Sequence, residues 1–296
     1  MKPRKNEKAA RRLSERWART EKAIKMEIAE HKSSFAVYLV LRALVILVMV
    51  LQVLNRNYEN VFYCGLTLLL LTIPSFLQVE LKIEFPTTLE IIILIFIFAA
   101  EILGEIGSYY TKFPYWDTVL HTLNGFLAAA IGFSLVDILN QEKRDKFSLS
   151  PVYMSVVAFC FSMTIGVLWE FFEFGVDTFL HMDMQKDTII HDISTVMLDP
   201  AGGTAVYRIH DINEVFINGE PLGLGGYLDI GLIDTMEDLI VNFIGAVTFS
   251  VIGFFYVKTR GQGRFAKRFI PSIKKEEADY LRIVEEAEAG QKEEAE

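Results

Sequence analysis

The chain has 296 residues, of which 52% are hydrophobic, with a formal net charge of −9 and a mean hydropathy of +0.31. That is too apolar for an ordinary soluble domain of this length. The net charge averages opposed regions and says little about partners: the first 32 residues hold eleven Lys/Arg against five Glu, residues 258–275 hold seven Lys/Arg and no acid, and residues 276–296 hold nine acids against two basic residues.

Residues 1–34 read as a basic, amphipathic cytoplasmic segment. Ala9, Leu13, Trp17, Ile24 and Ile28 make one apolar stripe. That pattern suits an anionic membrane surface, with a solvated or partner-bound helix as the other reading. A cleavable signal is not expected, because the first apolar run starts only at Phe35, runs too long and lacks a small-residue cleavage pattern.

Six apolar segments follow, at 35–54, 58–77, 89–108, 116–139, 152–178 and 235–257. Each is near the ~20 residues that a helix needs to cross a bilayer. The expected fold is therefore all-α, a six-helix membrane bundle over 35–257. Arg42 in the first segment is read as a side chain snorkelling to the near interface. Cys64 and Cys160 read as small buried hydrophobes, and with no CxxC neither a zinc ribbon nor a redox motif is supported.

Basic residues set the orientation. The N-terminal segment, the loop with Lys143, Arg144 and Lys146, and the stretch Lys258–Lys275 share one side. By the positive-inside rule both termini are cytoplasmic and the protein is a multi-pass protein of the cell membrane. The basic-then-acidic tail 258–296 is expected to end in a helix. No nucleic-acid partner is expected, since the basic stretches flank the membrane without a binding motif.

An extracytoplasmic insertion spans about 179–233. Thr188–Leu198 has helical spacing of Ile189, Ile193, Val196 and Met197. Ala205–Ile209 and Glu214–Ile217 read as short strands, with Asn218-Gly219 a type I′ hairpin turn and Pro221 limiting the strand after it.

Nine acids sit in or beside the segments and fall toward one side: Glu101, Glu105, Asp117, Glu170, Glu173, Asp177, Asp234, Glu237 and Asp238. A carboxylate in hydrocarbon costs roughly 2.5–3.5 kcal/mol even on an insertion scale. No Lys or Arg is expected in the same layer. Helical spacing groups Glu101 with Glu105, Asp117 with His121 and Asn124, Glu170 with Glu173 and Asp177, and Asp234 with Asp238 and Asn242. At about 1.5 Å per residue, His121 and Asp238 lie roughly 6–8 Å below the outer boundary. The four stripes then meet as an outward-facing polar pocket. Gly104, Gly107, Gly125, Ala128, Gly132, Gly166, Gly245 and Ala246 would let the backbones approach there.

Three answers balance the charge. A divalent cation suits several carboxylates, one His and amide oxygens, with Asp117, His121, Glu170, Glu173, Asp234 and Asp238 as the ligand set. Protonation would leave some carboxyls neutral as proton carriers. Rim acids could instead face water and cap helix starts, as Asp117 and Asp234 are placed to do. His181, His191 and His210 in the insertion are weak candidates for completing the site.

These residues resemble a known family. Gly104-Glu105 with Tyr109-Tyr110, Phe113-Pro114-Tyr115-Trp116-Asp117, Leu120-His121 with Gly125-Phe126, Trp169-Glu170-Phe171-Phe172-Glu173, and Asp234-Thr235-Met236-x-Asp238-Leu239 with Asn242-x-x-Gly245-Ala246 are similar to the YjdF-like membrane proteins, within the broader VanZ-like group. The resemblance covers about residues 65–257. It implies a multi-pass membrane protein without an established activity, with recurring polar positions at Glu105, Asp117, His121, Glu170, Glu173, Asp234, Asp238 and Asn242. VanZ-like members are associated with glycopeptide resistance, which implies envelope chemistry at the outer face. In shorter members the pieces Met184-Gln185-Lys186 and Gly231-Leu232-Ile233-Asp234 look nearly adjacent, where this chain carries about 45 further residues.

Three functions remain open at this stage. One is a cation-binding protein acting on an envelope or lipid-linked component, with Glu170, Asp238, His121 and Asp117 as catalytic or ligating groups and Glu101, Glu105, Asn124 and Asn242 in support. The second is a proton- or cation-coupled transporter. The third is a non-catalytic envelope scaffold. Sequence alone does not decide whether the protein is an enzyme.

Overall fold

Long apolar runs fold as helices because a backbone in hydrocarbon must satisfy its own hydrogen bonds. The computed structural model describes residues 14, 16–26, 32–81, 83–142, 149–259, 261, 263–274 and 279–293. Among them, five helices are long and apolar enough to cross a membrane: Ser33–Leu54, Tyr58–Glu80, Trp116–Asn140, Pro151–Leu180 and Leu232–Lys258. They match the first, second, fourth, fifth and sixth predicted segments.

The third segment departs from expectation. It is a 12-residue α-helix, Thr87–Phe98, that runs directly into an eight-residue π-helix, Ala99–Ile106. The wider i→i+5 pattern ends with Gly107 N–H donating to the Ile102 carbonyl at 2.9 Å. Such π-helical turns widen a helix locally and are frequent at functional sites.

The fourth, fifth and sixth segments pack most closely. Gly125 and Gly245 make this possible. A Cβ at Gly125 would lie 2.0 Å from the Asn242 carbonyl oxygen, and one at Gly245 would lie 2.0 Å from that of Thr122. Gly166 meets the Asn242 side chain in the same way, at 2.7 Å. Small residues therefore bring three backbones together around Asn242, as the sequence leads one to expect.

The chain after the sixth segment is not simply a tail. Ala266, Phe269 and Ile270 are buried in the main core with Ile83, Phe85, Leu89 and Phe133. Phe269 stacks edge-on against Phe126, half-way along the fourth segment, with centroids 5.2 Å apart. The strand Ser272–Ile273 pairs antiparallel with Ile83–Glu84. Ala266, Phe269 and Ile270 thus plug the bundle at the end away from the insertion, while Arg264, Phe265, Lys267 and Arg268 stay exposed.

Two terminal helices meet at that same end. Arg19 reaches Glu288 at 3.0 Å and Glu285 at 3.7 Å, and Lys22 reaches Glu288 at 3.2 Å. Arg16 pairs with Glu80 at 3.0 Å. Of the described stripe residues Trp17 is exposed and Ile24 half-buried, while Thr20 and Ala23 on the same helix are buried. Ala9, Leu13 and Ile28, like the loop residues Lys143, Arg144 and Lys146, lie outside the described residues. Arg42 turns onto its helical neighbour Tyr38, hydrogen-bonding its hydroxyl and lying 5.6 Å from its ring. Cys64 is buried as expected, but Cys160 is exposed on its helix.

The insertion is built of short antiparallel pairs. The helix expected over Thr188–Leu198 is absent. Thr188–Ile190 pairs with Tyr227–Asp229, and Ile193–Thr195 pairs with Tyr207–Ile209. Its apolar residues fit either period over so short a run, and the distant partner strands decide. The Asn218-Gly219 turn joins Phe216–Ile217 to Glu220–Pro221 with both turn residues at positive φ, 53° and 90°, as a type I′ turn requires.

Candidate functional site

The fourth segment carries Asp117 and His121 one turn apart, the fifth carries Glu170 and Glu173, and the sixth carries Asp238 and Asn242. Close packing at Gly125, Gly166 and Gly245 brings these faces together. His121 Nε2 lies 3.5 Å from Asp117 Oδ1 and 3.5 Å from Asp238 Oδ2, and its Nδ1 lies 4.0 Å from Glu170 Oε1. Directly beneath, the Asn124 amide donates to Asn242 Oδ1 at 3.0 Å.

Burial is deep. Glu170, Glu173, Asp238 and Asn242 are 4%, 8%, 3% and 1% exposed. Glu173 Oε1 accepts from the Trp169 indole at 2.8 Å, yet Glu173 Oε2 and Glu170 Oε2 have no partner. A buried polar atom left without a hydrogen bond is costly, so an orphan carboxylate oxygen marks a place for a ligand or proton.

Two three-residue groups offer ligand atoms that all lie within 4.8 Å of one another: Asp117, His121 and Asp238, and Glu170, Glu173 and Asp238. An ion about 2.0–2.6 Å from each atom would span such a set. The donors are carboxylate oxygens and one imidazole, which suit a hard or borderline divalent ion.

The remaining predicted residues lie at the edge of this cluster or outside it. Asp234 accepts the Lys186 backbone N–H at 2.8 Å and so anchors the strap that leads into the insertion. Asp177 accepts from Met184 N at 2.6 Å and Gln185 N at 2.8 Å, closing the same strap from the fifth segment. Glu237 is exposed. Glu101 is buried on the π-helix with one oxygen lacking a partner, and neither it nor Glu105 belongs to the two groups. His191 bonds the Ile212 carbonyl at 2.8 Å and His210 bonds Asp192 at 2.6 Å; these two and His181 are exposed and join neither group.

One expectation is overturned. A cation does sit in the acidic layer, because Lys186 Nζ lies 3.0 Å from Glu105 Oε2. Burial opposes the Lys186 charge, but Glu105, with Asp183 and Glu173 adding to it, outweighs burial and holds the ammonium above its usual range. Lys186 comes from the insertion strap, so helical spacing within the segments could not reveal it. Gln185, which donates to the Thr235 hydroxyl at 2.5 Å, was missed for the same reason. Trp169 and Glu173 are i,i+4 on one helix, a spacing that could have revealed that pair.

A buried acid was also missed. Glu90 is 6% exposed and accepts from the Gln78 amide at 3.3 Å, while Gln78 in turn accepts the Phe85 N–H at 2.8 Å. It stands eleven residues before Glu101, at the opposite end of the third segment.

An uncharacterized protein of Thermotoga maritima is 28% identical over 97 residues, covering 33% of this chain and 48% of its own length. The chain thus aligns with about half of that relative. No solved structure matches the chain. The family described as "Predicted membrane protein (DUF2238)" matches residues 37–259, which include every segment of the bundle and the whole acid–imidazole cluster. The chain belongs to this family of predicted multi-pass membrane proteins.

Proposed function

We propose that the cluster of Asp117, His121, Glu170, Glu173 and Asp238 binds a divalent cation at the outer face of the cell membrane. Through that cation it holds a phosphate-bearing, lipid-linked component of the cell envelope. The observation that carries this reading is the pair of buried oxygens, Glu170 Oε2 and Glu173 Oε2, with no partner in a cluster of four carboxylates. The Lys186 ammonium is spent on Glu105 at 3.0 Å. A metal would offset the charge and also bridge acids to phosphate as a Lewis acid.

In this reading Asp117, Glu170, Glu173 and Asp238 are ligands. His121 stands between Asp117 and Asp238 as a ligand or a proton acceptor. Asn242, tied to Asn124 at 3.0 Å, holds the sixth segment in register behind Asp238. Asp234, whose Oδ2 accepts the Lys186 backbone N–H, stands at the edge of the cluster and joins the strap to the ligand set. The outward orientation follows from the basic terminal segments, which the positive-inside rule puts in the cytoplasm.

Proton- or cation-coupled transport is the second reading, favoured by buried Glu101 with its unpartnered oxygen on a π-helix. Against simple alternating access stands the plug of Ala266, Phe269 and Ile270, which fills the opposite end of the bundle.

Elemental analysis of detergent-purified protein, beside an Asp238→Asn/Glu170→Gln double variant, tests the cation. Near-stoichiometric metal lost in the variant supports it. No metal in either after loading with Mg, Ca, Mn and Zn would sink it and leave proton coupling or a scaffold role. Retention of a polyprenyl phosphate by the metal-loaded protein alone would support the proposed ligand class.

A further inference from the structure

The two ligand groups have one member in common. Asp117 and His121 come from the fourth segment, Glu170 and Glu173 from the fifth, and Asp238 of the sixth belongs to both. We infer that the cluster is built for a pair of divalent cations bridged by the Asp238 carboxylate. This rests on the cation reading above and deepens it.

Geometry supports two positions. In each group the three donor atoms fit within 4.8 Å, which is the span of one ion's ligand shell. The groups abut, since His121 Nδ1 and Glu170 Oε1 are 4.0 Å apart. Two ions on either side of one carboxylate would then sit about 3.5–4 Å apart, the usual spacing of two-metal sites.

Orientation supports it independently. The Trp169 indole fixes Glu173 through one oxygen, at 2.8 Å, and leaves the other unpartnered. Glu170 Oε2 is likewise buried and unpartnered. Outer hydrogen bonds of this kind aim ligating carboxylates at a metal. Both glutamates are more than nine-tenths buried, so bulk solvent does not reach the open oxygens.

Charge points the same way: fully ionised, the four carboxylates of the two groups would carry four negative charges around a neutral imidazole, which two divalent ions would cancel and one would leave half-balanced. In a low-dielectric bundle that imbalance is expensive.

The test uses the full chain in detergent, loaded with Mn(II), desalted and read by metal analysis and electron paramagnetic resonance. The expected result is two Mn per chain with an exchange-coupled multiline spectrum. Asp117→Asn/His121→Gln should leave one Mn with an uncoupled six-line signal, and Asp238→Asn should abolish the coupling. Glu237→Gln, outside the cluster, should change neither reading. One uncoupled Mn in the unmodified chain, lost in Asp238→Asn, would overturn the pair while keeping the single-cation reading. No retained Mn would overturn both. The count on the unmodified chain decides the matter even if a variant fails to fold.

Discussion

Gly125 faces the backbone of Asn242 so closely that a Cβ there would meet its carbonyl oxygen at 2.0 Å, and Gly245 faces Thr122 reciprocally at the same distance. This crossing of the fourth and sixth segments is what sets His121 against Asp238 four residues away on each helix. Gly125→Ala must therefore push the helices apart. The expected loss is about 3 kcal/mol or more, because backbone rather than a flexible side chain is in the way. Thermal unfolding in detergent measures it. Gly175→Ala, with open space around its Cβ, is the control and should stay within about 1 kcal/mol of the parent.

The Lys186–Glu105 pair crosses from the insertion strap to the π-helix and is partly buried on both sides. Lys186→Met should destabilise by about 1–3 kcal/mol, since it strands a buried carboxylate. Glu105→Gln in the same chain should recover much of that loss. Additive effects in this double-mutant cycle would mean that the pair contributes nothing.

Lys274 lies near the plug, 5.4 Å above the Tyr280 ring. Burial pushes its ammonium down from 10.5 to about 8, with the Asp279 carboxylate opposing. The folded state thus gives up this proton more readily than the unfolded one. Between pH 8 and pH 10.5 unfolding takes up the proton, so this residue's contribution to stability rises with pH across that window. Below it the full burial cost remains. Lys274→Met should raise Tm at the low end and flatten the slope; an unchanged slope would refute the assignment.

The terminal helices are held by surface ion pairs, Glu288 receiving both part-buried Arg19 and exposed Lys22. Such pairs contribute about 0.2–1 kcal/mol each and are screened when the Debye length falls to about 3 Å in ~1 M salt. Glu288→Lys should release the helix Tyr280–Glu293 at low salt, and high salt should do so in the parent. Amide exchange over 280–293 reports it. Equal protection in all cases would mean that apolar contacts, such as buried Val284, suffice.

Composition and helical period, by themselves, determined that this is a membrane bundle and which faces of three helices carry Asp117 and His121, Glu170 and Glu173, and Asp238 and Asn242. They also determined the Asn218-Gly219 turn. Each is a local property: run length, a 3.6-residue repeat, a positive-φ dipeptide. Only the tertiary structure decided the rest. Strands replaced a helix over 188–198 because Tyr207–Ile209 and Tyr227–Asp229 supply edge partners. Ala266, Phe269 and Ile270 left the solvent because Phe126 and Phe133 offered an apolar bed. Lys186 reached Glu105 because Asp177 and Asp234 hold the strap that carries it, and Asp238 came to be shared by two ligand groups because glycine contacts fixed how three helices cross. Such contacts join residues far apart in the chain, and no periodicity within one segment encodes which distant surface it will meet.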